Sequence, residues 1–177
     1  MADIIEGEKD TWSVKDGILV QQGGDGAQWL MFGDPAWTDY EYSFQFKNSH
    51  EGLPLSILFR SPDNSRSVNW GLGWLGQKAI LEYRESPERH VGIEEPKPYP
   101  ATSSNEWYEM KVVVTGAEVS CHLDDELVVW QSDHCRFNSG RVGVRLWRRG
   151  GWKTSFKNFL VKNSAGKVLW SELPSLE

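Results

Sequence analysis

The chain has little that could bind it together covalently or tie it to a charged polymer or a bilayer. Two cysteines in 177 residues, Cys121 and Cys135, are too few for a disulfide framework and are read as independent thiols. Basic residues form no run longer than Arg148-Arg149 and the formal net charge is −6, so the phosphate attraction behind nucleic-acid binding is missing. No apolar stretch is long enough to span a bilayer, and the N-terminal segment has neither a basic start nor a signal-length apolar run. The chain as written is therefore expected to be soluble and cytoplasmic, with no nucleic-acid or membrane partner; a domain cut from a larger secreted protein would read the same.

Helical periodicity and metal-ligand spacing are absent too. No stretch repeats its apolar residues as an amphipathic helix does, so no phosphate loop can lead into one. His50, His90, His122 and His134 lack the i, i+4 pairing of a zinc site, and no Asp-rich loop of the EF-hand type occurs. They are read as scattered surface histidines, with no metal site and no cofactor.

What the chain does have is ten tryptophans and a period close to two. Tyr40, Tyr42, Phe44 and Phe46 alternate with Glu41, Ser43, Gln45 and Lys47, as in a strand with one buried and one wet face. Similar runs over 12–14, 17–22, 27–32, 53–61, 66–75, 78–84, 107–115, 117–123, 126–131, 141–147, 152–162 and 167–170 predict further strands. Turn sequences such as Lys15-Asp16-Gly17 and Leu123-Asp124-Asp125-Glu126 join several of them as antiparallel hairpins. The expectation is an all-β, two-sheet antiparallel β-sandwich or jelly roll, formed as one domain over 1–177. The stretch 86–105, with Pro87, Pro96, Pro98 and Pro100, is predicted to be irregular and to fold over a sheet face or edge.

Strand parity sorts the candidate site residues. Val68, Trp70, Leu72 and Trp74 share the core face, which leaves Ser67, Asn69, Gly71 and Gly73 as a low floor opposite. Trp12, Trp29 and Trp107 are likewise assigned to core or edge packing, whereas parity is unreadable for Trp37, Trp152 and Trp170 and ambiguous for Trp130. Val142, Val144 and Leu146 point inward, so Arg145 and Trp147 share the other face; Arg60, Glu82 and Arg84 point outward by the same count. If these residues meet on one sheet, Trp147 packs on a pyranose face while Arg60, Asn69, Glu82 and Arg145 bind hydroxyls. The plainer alternative is a solvated set of cross-strand ion pairs.

Several motifs also resemble a known family: Trp12-x-Val14-x-Asp16-Gly17-x-Leu19, Gln28-Trp29-Leu30, Asp39-Tyr40-Glu41-Tyr42, Asn105-Glu106-Trp107-Tyr108-Glu109, Gly140-Arg141-Val142-Gly143-Val144 and Phe156-Lys157-Asn158-Phe159. In this order they are similar to the 3-keto-disaccharide hydrolase domain family, a relative of laminarinase-like and concanavalin A-like jelly rolls. The resemblance implies a concanavalin A-like fold, an oligosaccharide or glycan partner, and room for a structural calcium. Phe59-Arg60 keeps the family's Phe-Arg step, but the Asn-Ser-Gly before it and the laminarinase Glu-x-Asp-x-x-Glu pair are missing. Glu82 and Glu41 are the candidate catalytic carboxylates if the chain is an enzyme, since retaining hydrolysis needs two carboxyls about 5 Å apart. Three functions stay open: a lectin-like module, a glycoside hydrolase of the resembled type, and a protein-interaction domain that has lost the sugar site.

Overall fold

The computed structural model describes residues 4–131 and 135–176, so His134 lies outside the described residues, as does the side chain of Trp130. In chain order the strands are β1 (Ile4–Glu6), β2 (Trp12–Lys15), β3 (Ile18–Gln22), β4 (Gly26–Phe32), β5 (Tyr40–Asn48), β6 (Leu55–Ser61), β7 (Ser67–Trp74) and β8 (Lys78–Ser86). They continue with β9 (Arg89–Gly92), β10 (Tyr108–Thr115), β11 (Glu118–Leu123), β12 (Glu126–Gln131), β13 (Arg141–Arg148), β14 (Lys153–Asn163) and β15 (Val168–Trp170). A seven-stranded sheet has the order β1-β4-β13-β6-β7-β8-β9. An eight-stranded sheet has the order β12-β11-β10-β5-β14-β3-β2, with β15 against β14. All pairings are antiparallel, and the two sheets form the expected sandwich.

The alternation read from the sequence fills the space between the sheets. Tyr42, Phe44 and Phe156 from the larger sheet meet Leu30, Phe32, Ile57, Trp70 and Val144 from the smaller, all essentially inaccessible. Phe32 meets Phe159 edge-on at 5.5 Å and Tyr42 edge-on at 5.9 Å, the geometry in which ring quadrupoles attract. Tyr42 also donates its hydroxyl to the Gly143 carbonyl at 3.2 Å, so this core hydroxyl is satisfied across the layers.

Two strands, β1 and β9, were not anticipated. β9 lies within the proline-containing stretch and is a short, polar edge strand, a composition that alternation cannot detect. The chain beyond it is bound to the sheet edge by the Ala79–Lys97 bridge. The turns fared better: Asp124 and Asp125 carry φ values of 48° and 64°, the left-handed pair that a two-residue hairpin demands.

Arg148 lies just past the strand predicted over 141–147, but the structure extends that strand to include it. It is the last residue of β13, on the core parity of Val142, Val144 and Leu146, and is 1% exposed between the sheets. Its guanidinium donates to Gln21 and Thr154, and Thr154 donates on to Asn48, which closes one end of the sandwich with polar groups. Burial lowers its pKa to about 10.

Candidate functional site

The outer face of the seven-stranded sheet is strongly curved. Trp29 on β4 and Arg84 on β8 are four strands apart, roughly 19 Å on a flat sheet. Yet the Arg84 guanidinium lies 4.1 Å from the Trp29 ring centre, and His90 on edge strand β9 lies 6.5 Å from the same ring. Only a concave sheet brings these side chains together.

Along the hollow runs a row of alternating cations and indoles. Arg84 covers one part of Trp29, Arg145 lies 4.8 Å from that ring, and Trp74 follows at 4.4 Å from Arg145. Each guanidinium is planar and weakly hydrated, so it can be stripped of water against an aromatic face where an ammonium could not. Beneath and beside the row, Trp29, Met31 and Leu58 form a small apolar cluster of their own, separate from the core.

Glu82 organises the polar part. Its Oε1 is 2.8 Å from His90 Nδ1 and 3.3 Å from Arg145 Nη1, and Asn69 donates to it at 3.5 Å. Asn69 is itself fixed by Ser67, whose hydroxyl donates to Asn69 Oδ1 at 2.6 Å. Burial alone would push the Glu82 carboxyl up, but His90, Arg145 and Asn69 together outweigh it and hold the pKa below the ordinary value. Arg145 is pulled down to about 10 by burial, with Glu82 opposing the shift, and it remains a cation at neutral pH. A pocket of about 410 Å³ opens beside Glu82, with Leu75, Ile80, Glu94, Glu95 and Pro96 among its walls.

Of the residues singled out from the sequence, Asn69, Glu82 and Arg145 therefore meet. Trp147 stands on the same face two residues along β13 from Arg145, opposite Ala27 and 46% exposed. Arg60 does not join them. Its φ of 48° marks a bulge opposite the start of β13, where the strand alternation breaks. Its side chain is buried elsewhere, donating to the Phe137 and Gly116 carbonyls and pairing with Asp39 at 3.3 Å, while its backbone N–H is held by the Tyr40 hydroxyl at 2.8 Å. Glu41 does not join them either: it lies on β5, whose Tyr40 and Tyr42 point into the core, so it faces out from the opposite sheet. With the core between them, Glu41 and Glu82 cannot act as a carboxylate pair.

Three further residues of the hollow escaped the sequence reading, each for a local reason. Trp74 was assigned to the core, but a bulge at Gly73, where φ is 76°, turns it onto the outer face over Gly71. The isolated glycine was the available signal. Trp29 is buried as expected but on the outer side, and the unbroken apolar run Trp29-Leu30-Met31-Phe32 signalled that both faces of β4 are covered. His90 was hidden in the stretch predicted to be irregular. Among the other tryptophans, Trp12 and Trp70 are in the core, whereas Trp107 packs under Lys47 and Lys157, at 4.9 and 4.1 Å.

Cys121 is buried and Cys135 half-buried, and the two are not bonded to each other. Among the described residues no group of three or more His, Cys, Asp or Glu converges as metal ligands, and no residue set is assigned to the calcium that the resemblance allowed. Among the described residues no helix is long and apolar enough to cross a membrane.

A family profile described as a 3-keto-alpha-glucoside-1,2-lyase-like domain matches residues 3–162. No curated protein matches the chain. Among solved structures, the chain is similar to the carbohydrate binding module CBM66 from Bacillus subtilis, at 18% identity and a TM-score of 0.71 over 90% of this chain and 94% of that one. It is also similar to LamAcat from Zobellia galactanivorans, at 10% identity and a TM-score of 0.59 over 87% of this chain and 80% of that one. Chicken galectin 2 gives 11% identity and a TM-score of 0.57 over 75% of this chain and 97% of that one. At such identities the likeness is one of fold.

Proposed function

The chain belongs to the 3-keto-alpha-glucoside-1,2-lyase-like domain family, and on that premise we propose that the hollow of the seven-stranded sheet binds a saccharide. The observation that carries the reading is the meeting of Glu82, His90, Arg145 and Asn69 with the Trp29 and Trp74 indoles on one curved face. Few, oriented polar groups among aromatic surfaces are what a sugar requires, because its ring offers hydroxyls at the edge and C–H bonds on the face. Trp147 supplies an open indole at the margin. Arg145 on β13 already touches Glu82 on β8 at 3.3 Å, and Trp147 is two residues, roughly 7 Å, further along β13, so a saccharide in the hollow can reach from Glu82 to the open indole. The likeness of the fold to a carbohydrate binding module and to a galectin supports the same reading.

A second reading is favoured by one contact. If His90 donates its Nδ1 proton to Glu82, the lone pair of Nε2 is free to take a proton, which is the role a lyase acting beside a keto group requires. A panel of oligosaccharides and 3-keto-glucosides, followed for both binding and product, separates the two. Binding without turnover supports a lectin-like module, and turnover abolished by His90→Ala or Glu82→Gln supports the enzyme. Neither binding nor turnover across the panel would leave the protein-interaction alternative.

A further inference from the structure

Arg145, Ser56 and Gly71 lie in line across β13, β6 and β7. Gly71 is where the line is pinched: a Cβ built there would meet Ser56 Oγ at 2.4 Å and Trp74 Nε1 at 2.6 Å, so both polar atoms crowd onto the one position without a side chain. Arg145 reaches the same spot, with its guanidinium 4.4 Å from the Trp74 ring. Ser56 Oγ, Trp74 Nε1 and Arg145 Nε are all buried, and none has a hydrogen-bond partner. Ser56 is 0% exposed and Arg145 7%.

Three unpartnered polar atoms in one place are costly, because each has given up water and gained nothing. Their chemistry specifies what would repay them. An indole N–H and a guanidinium Nε–H can only donate, and a serine hydroxyl can donate as well. The missing partner is therefore an acceptor. Arg145 already spends Nη1 on Glu82, at 3.3 Å, which leaves its Nε edge, the side on which a guanidinium grips a carboxylate as a fork. A single hydroxyl oxygen cannot serve donors approaching from three strands, whereas a carboxylate offers two oxygens with about four acceptor sites.

We propose that this hollow takes an acidic saccharide, a hexuronate whose carboxylate is received by Arg145 Nε, Ser56 Oγ and Trp74 Nε1. The inference rests on the reading of this face as a saccharide site. The indole of Trp74 lies over Gly71, and it is carried on the Gly73 bulge at the end of β7. Rotation of that side chain off Gly71 opens the way to Ser56 and Arg145 while its own N–H stays within reach of the incoming carboxylate.

The test uses the full chain and two ligands matched in linkage and length, an oligohexuronate and its carboxyl-reduced neutral counterpart, titrated calorimetrically. The uronate is expected to bind about tenfold or more tightly than the neutral sugar. Ser56→Ala, a substitution that removes one unpartnered hydroxyl and needs no new space, is expected to narrow that preference and leave the thermal unfolding temperature no lower than in the wild type. Equal affinities for the two ligands, or a preference untouched by Ser56→Ala, would overturn the proposal and leave the face a saccharide site. Failure of the wild type to bind either ligand or any neutral glycan would overturn the saccharide reading itself.

Discussion

Arg145 holds two indoles at once, its guanidinium 4.8 Å from the Trp29 ring centre and 4.4 Å from that of Trp74. The same group pairs with Glu82 through Nη1, so one buried side chain ties the aromatic row to the polar cluster. Arg145→Ala removes both functions and leaves Glu82 short of a counter-charge. It should cost about 3 kcal/mol in urea unfolding, the usual loss when one partner of a largely buried pair is deleted. Arg145→Lys should recover only part of it, because an ammonium cannot lie flat between two rings. Equal stability of the lysine variant and the wild type would show that stacking contributes nothing.

Glu82 ties stability to pH. Its pKa is lowered on folding, since His90, Arg145 and Asn69 outweigh the opposing effect of burial. A carboxyl with a lowered folded pKa binds protons more weakly in the native state, so its contribution is complete above the ordinary glutamate range, about pH 4.3, and is lost as the pH falls through the folded value. Unfolding free energies measured from pH 6 downward should therefore fall more steeply in the wild type than in Glu82→Gln. Parallel curves would contradict the assignment.

The Gly73 bulge sets where Trp74 points. Gly73→Ala places a side chain at a φ of 76° and its Cβ 2.7 Å from the Gly52 carbonyl oxygen. A loss of at least about 2 kcal/mol in urea unfolding is expected from the left-handed backbone and the clash. Tryptophan indole N–H resonances should report Trp74 leaving its place over Gly71; an unchanged spectrum would mean that the bulge does not govern the indole.

Arg60 separates folding from binding. It is buried among the Phe137 and Gly116 carbonyls and Asp39, away from the hollow. Arg60→Ala should lower the unfolding free energy by about 2 kcal/mol or more, because buried carbonyls lose a charged donor. Calorimetric glycan affinity of the folded variant should stay at the wild-type value. A loss of affinity without a loss of stability would place Arg60 in the site after all.

Fold and site were legible to different depths because they depend on different regularities. Alternation along β5 and β13 needs only consecutive residues, so the sandwich and the inward positions of Phe44, Val144 and Trp70 could be read directly. Parity also put Asn69 and Glu82 on outward positions, but that they stand opposite each other on paired strands is seen only in the structure. Bulges break that count: one at Arg60 turned a residue expected on the outer face into the interior, and one at Gly73 did the reverse for Trp74. Curvature is beyond parity altogether. Nothing in the order of residues says that β4 and β8 approach closely enough for Arg84 to cover Trp29, or that Glu41 and Glu82 face away from each other across the core.

Calorimetric titration of an oligosaccharide panel into the wild type and Trp147→Ala decides whether the hollow and its margin form a saccharide site. Trp147 is 46% exposed, so its removal should leave thermal unfolding almost unchanged. The wild type should bind at least one oligosaccharide, and the variant should bind it about tenfold more weakly, the loss of one indole platform. No binding by the wild type across the panel, or an affinity untouched by Trp147→Ala, would contradict that reading.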